Sequence, residues 1–69
     1  MQFKEAGALR VGDTWIDRDR RRFRVVEINA HAIPAIVTLA GEEIATGERR
    51  AFEFYRVNKV ACPDDAGQA

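Results

Sequence analysis

Two apolar runs flank a block of charge near the start of the chain, and this arrangement constrains most of what the chain can become. Trp15 and Ile16 precede the block, Phe23, Val25, Val26 and Ile28 follow it, and Asp17 to Arg22 lie between. Aromatic and β-branched residues suit a pleated, half-buried surface, and the charged block suits a turn. Residues 11–28 therefore read as a β-hairpin with an arginine-loaded tip. No Asn-Gly or Asp-Gly is present, so the expected connection is a four-residue loop over Asp19, Arg20, Arg21 and Arg22, built on a type I turn. That loop pairs Arg18 with Phe23, Asp17 with Arg24, Ile16 with Val25 and Trp15 with Val26. Alternation then sends Ile16, Phe23 and Val25 to the core and leaves Asp17, Arg24 and Trp15 on the outer face. A bulge at Val25–Val26 turns Ile28 inward and bends the strand, as a small closed barrel requires.

The remaining chain supplies further short strands. Residues 1–8 form an N-terminal segment, with Phe3 and Leu9 placed to lid one end of a barrel. Gly12 provides the positive φ of a turn, and Asp13 can hydrogen-bond backbone beside it. Pro34 ends the connection after the hairpin. Ala35 to Ala40 reads as a third strand, extended past Gly41 by Glu42, Glu43 and Ile44. Arg49 to Tyr55 reads as a fourth, with Phe52 and Phe54 on one face and Glu53 and Tyr55 on the other. Arg56-Val57-Asn58 suits a single 3₁₀ turn, Lys59-Val60-Ala61 a closing strand, and residues 62–69 a frayed tail. No window carries the i, i+3, i+4, i+7 spacing of an amphipathic helix. The fold class is all-β, a five-stranded antiparallel barrel. The order of long hairpin, meander, 3₁₀ turn and short last strand resembles the SH3-like barrel over residues 9–61.

A chain of 69 residues is one domain. It buries only about 60–65% of its unfolded surface, so a homodimer is an expected aid to stability. Cys62 and His31 are the single cysteine and histidine. They form no disulfide and cannot complete a four-ligand zinc site. The chain has no serine, and Cys62 sits beside the tail without a partner base. A non-enzyme without a cofactor is expected. The N-terminus lacks an apolar leader, and the weakly polar run Ala30 to Ala40 is too short for a membrane span. A cytoplasmic protein follows.

Eleven basic and eleven acidic residues cancel, but they are segregated. Residues 18–24 hold Arg18, Arg20, Arg21, Arg22 and Arg24 against Asp19 alone. Residues 42–48 hold Glu42, Glu43 and Glu48 without a base. Guanidinium groups match phosphate and carboxylate geometry, so the five arginines are the candidate contact for nucleic-acid backbone or an acidic protein surface. The structural alternative is a solvated hairpin end that blocks edge-to-edge pairing. Trp15 and Tyr55 are candidates for base stacking or an interface, against burial in a small core. The function expected first is a non-catalytic module whose arginine tip binds nucleic acid. The second is a protein-binding inhibitor or adaptor, encoded by a phage or mobile element, that uses the charged tip and an exposed apolar patch. The acidic loop discriminates between them: placed beside the tip, it favours a protein partner. Glu53-Phe54-Tyr55 also occupies a place similar to the Gln-Ile-Tyr pore stretch of the type II dihydrofolate reductases, which resemble this chain in length and barrel type. A glutamate there would crowd a carboxylate from every subunit into the pore, so that activity is not expected.

Overall fold

The computed structural model describes residues 2–63. Six strands follow in chain order: β1 (Gln2–Glu5), β2 (Thr14–Ile16), β3 (Arg22–Ala30), β4 (Ile36–Glu43), β5 (Arg49–Tyr55) and β6 (Lys59–Cys62), with a 3₁₀ turn over Ala6–Ala8 after β1. All pair antiparallel in one sheet of order β1-β6-β2-β3-β4-β5. The sheet curls into an SH3-like barrel, and the five strands after β1 are those expected. β1 is a sixth, laid on β6 with Phe3 opposite Ala61 and Lys4 opposite Val60. The connection at residues 56–58 closes with Asn58 N–H donating to the Tyr55 carbonyl at 3.0 Å. Cys62 belongs to β6 and is buried, as is Pro63, so the chain is ordered one strand position further than expected. The frayed tail expected beyond it, over 64–69, lies outside the described residues.

The hairpin register differs from expectation by three residues. Thr14 faces Arg24, Trp15 faces Phe23 and Ile16 faces Arg22. The cause is Asp17. Its Oδ1 accepts the N–H groups of Asp19 at 2.8 Å and Arg21 at 3.0 Å, while Arg20 N–H donates to the Asp17 carbonyl at 3.0 Å. An aspartate that bonds backbone two residues on starts a turn by itself. The turn therefore begins at Asp17 rather than after Arg18. Asp17 N–H and the Arg21 carbonyl close it at 3.0 Å, leaving a three-residue loop of Arg18, Asp19 and Arg20. Arg20 takes φ 63°, a left-handed conformation of the kind that follows a type I turn in such loops. An odd shift exchanges the faces of a strand. Trp15 consequently enters the core and Ile16 turns outward.

The core comprises Ala6, Leu9, Trp15, Phe23, Val25, Val37, Leu39, Val60 and Cys62, with Phe52 and Phe54 packed on its flank. Trp15 stacks on Phe23 at 5.4 Å between centroids and meets Phe52 and Phe54 edge-on at 5.3 and 6.2 Å. Gly41 makes room for this, since a Cβ there would sit 2.5 Å from Trp15 Cη2. The bulge falls where expected: Val25 faces Gly41, Glu27 faces Ala40, and Val26 is skipped. It brings Ile28 opposite Leu39, on the core-facing side of the sheet. The barrel does not close over that position, and Ile28 stays 39% exposed. Leu9 is buried as expected, whereas Phe3 is 63% exposed on the outer face.

Candidate nucleic-acid interface

Local chain geometry presents the arginines. Arg18 and Arg20 lie in the loop that Asp17 clamps, Arg21 closes it, and Arg22 and Arg24 follow on β3, on the face opposite Phe23. All five are exposed. The Asp17 carboxylate is occupied by backbone N–H groups and does not hold a guanidinium through any observed bond. Among the described residues, the side chains of Arg18, Arg20, Arg21 and Arg24 make no hydrogen bond or ion pair. These four guanidinium groups are therefore presented to solvent rather than consumed internally.

The acidic loop does lie beside the base of this tip. Phe23 faces Glu43, Arg24 faces Glu42, and Ile44 N–H donates to the Arg22 carbonyl at 2.9 Å. Its carboxylates are engaged within their own hairpin. Glu48 binds Arg50 at 3.1 Å, Glu42 approaches Arg49 at 3.9 Å, and Glu43 accepts the Thr46 hydroxyl at 3.1 Å. Counting both loops, seven arginines (18, 20, 21, 22, 24, 49 and 50) face five carboxylates (17, 19, 42, 43 and 48). Over these two loops the formal charge is therefore positive by two.

The two aromatics singled out in the sequence separate. Trp15 is 1% exposed, which removes it as a stacking or interface residue. Its Nε1 is buried without a hydrogen-bond partner. Tyr55 is 57% exposed but faces Ile36 at the far end of β5. It is six positions along the strand from Arg49, so it stands about 20 Å from the arginine end. Sequence reasoning missed the exposed aromatic that is in register with that end. Phe3 faces Ala61, Ala61 faces Ile16, and Ile16 faces Arg22. The alternation of β6, with Val60 and Cys62 inward and Ala61 outward, is the signal that could have placed it once β1 was known to pair there.

A groove of about 730 Å³ opens where β5 and β6 approach without pairing. Trp15, Phe52 and Phe54 line its apolar part, and Asp17, Arg18, Asp19, Glu53 and Lys59 its polar part. No group of three or more His, Cys, Asp or Glu able to hold a metal exists among the described residues. Cys62 lies in the core, where burial pushes its thiol pKa up; Asp13 adds to this and Lys4 opposes it. His31 accepts the Ile33 N–H through Nδ1 at 2.9 Å and places Nε2 3.3 Å from Glu53, an ordinary surface arrangement. No helix among the described residues is long and apolar enough to cross a membrane.

No protein-family model matches the chain, and no curated protein matches it. Among solved structures, the chain is similar to a translation initiation factor eIF-5A family protein from Naegleria fowleri, with a TM-score of 0.76 and 16% identity. The match covers 91% of this chain and 46% of that one, so the chain spans less than half of its neighbour's length. At this identity the likeness establishes the fold, a small SH3-like barrel.

Proposed function

We propose that this barrel is a non-catalytic module that binds nucleic-acid backbone through Arg18, Arg20, Arg21, Arg22 and Arg24. The observation that carries the reading is the clamped loop. Asp17 spends its carboxylate on two backbone N–H groups, which fixes the tip and leaves the guanidinium groups of Arg18, Arg20, Arg21 and Arg24 to solvent. A preordered loop loses less conformational freedom on binding than a floppy one. The fold likeness to a translation initiation factor family protein is compatible with the same class of partner.

Fluorescence anisotropy with labelled RNA and DNA at two salt concentrations tests this. If three phosphates are engaged, log K falls against log salt with a slope of about −2.7 for a duplex and about −2.1 for a single strand. Changing Arg18, Arg20 and Arg21 together to Gln should abolish binding at moderate salt and flatten the slope. Unchanged binding by that variant would reject the reading.

A second reading has in its favour the feature that the sequence makes discriminating, the acidic loop beside the tip. The acidic hairpin flanks the base of the tip, so the end of the molecule shows both signs of charge within a short distance. A protein surface of mixed charge would match it better than a polyanion. Salt-insensitive or absent nucleic-acid binding, together with a protein captured through the same arginines, would favour this alternative.

A further inference from the structure

The outer face carries a row of directly opposed residues that crosses four strands: Phe3, Ala61, Ile16 and Arg22. Three of the four are apolar. Phe3 is 63% exposed, and Ile16 and Ala61, further along the row, are half-buried. We propose that this row is a stacking platform on which Phe3 receives an unpaired base, so that the preferred ligand is single-stranded nucleic acid. The inference rests on the arginine-tip reading and specifies its partner.

Charge complementarity selects this occupant. Strands lie about 4.8 Å apart, so Phe3 stands about 14 Å along the sheet from the arginine end. Arg24 is in the next row on the same face, opposite Thr14, and Arg18 and Arg20 project from the loop just past Ile16. An extended strand could lay its phosphates on the guanidinium groups while a base a few nucleotides away reaches the ring. A flat apolar ring beside a cationic track is how sequence-tolerant single-strand binders divide their contacts. A duplex keeps its bases paired and stacked and gains nothing from Phe3. The one other strongly exposed aromatic among the described residues, Tyr55, is too far along β5 to share the track. On the Phe3 side of the row, Glu5 faces Lys59, which sets one charge of each sign there.

The test compares labelled oligouridylate with the abasic sugar–phosphate oligomer of equal length, using the full chain. Phe3→Ala should bind oligouridylate about 5- to 150-fold more weakly and the abasic oligomer unchanged. Phe3→Trp should restore or exceed the original affinity. Because Phe3 is exposed, Phe3→Ala should melt at the original temperature, which separates loss of stacking from loss of fold. Equal binding of both oligomers by the original protein, unaffected by Phe3→Ala, overturns the platform and leaves the arginine-tip reading standing. Failure of both oligomers to bind at low salt overturns the arginine tip itself, and the platform with it. Capture of a protein through Phe3 in that circumstance would assign the row to a protein interface instead.

Discussion

Gly41 and Trp15 show how closely single residues are fitted here. The indole occupies the space a side chain at 41 would need, and Phe23 Cβ stands 3.3 Å from the same point. Gly41→Ala must push the ring aside, and overpacking of this kind costs about 1–3 kcal/mol. For a domain of this size that lowers Tm by roughly 4–8 °C per kcal/mol, which a thermal melt would read directly. Cys62 is equally placed by its surroundings. Burial, with Asp13 nearby, raises its thiol pKa. The folded state therefore holds the thiol proton more tightly than the unfolded chain. Its contribution to stability is complete below the ordinary thiol value, about 8.5, and declines as pH climbs through and beyond it. Denaturant titrations from pH 7 to 10 should show that decline, and Cys62→Ala should remove it. At neutral pH the folded thiol should react with a disulfide reagent far more slowly than in denaturant.

At the scale of the element, the tip loop is the informative piece. The sequence announces a turn between Ile16 and Phe23 without fixing where it starts. Only the Asp17 carboxylate decides, by taking the Asp19 and Arg21 N–H groups. Asp17→Ala should loosen the loop at a cost of about 1 kcal/mol, visible as faster amide exchange at Asp19 and Arg21. Asp17→Asn keeps an acceptor oxygen and deletes a negative charge, so it should preserve the loop and tighten binding to RNA. Other elements were legible in residue type alone. β5 runs from Arg49 to Tyr55 as read, because its phenylalanines alternate with polar partners. The bulge at Val26 was legible because two adjacent valines break a period of two. β1 was not. Gln2–Glu5 has a single apolar residue and no alternation to register, and it becomes a strand because β6 offers an edge.

For the molecule as a whole, the barrel is shut on one side by side chains rather than by a ladder. β1 and β5 end the sheet and do not pair with each other. Phe52 and Phe54 bridge the gap by standing edge-on to Trp15. Phe54→Ala should accordingly destabilise the domain by about 1–3 kcal/mol, less than a fully buried phenylalanine, and widen the groove beside β6. The same gap explains why exposure is uneven: the Trp15 side is sealed by aromatics, while Ile28, on the core-facing side of β3, is left partly in water.

By itself the sequence determined the strands rich in aromatic and β-branched residues, the barrel class, and the concentration of arginine at one turn, because these depend on local residue preference and on a period of two. The tertiary structure decided which side of the hairpin is inside, whether the arginines remain in solvent, and which aromatic stands in line with them. Register links residues far apart in the chain, and a single carboxylate bonded to two backbone N–H groups was enough to shift it by three places. That shift buried Trp15, turned Ile16 outward and set it in the row that leads from Phe3 to the arginines.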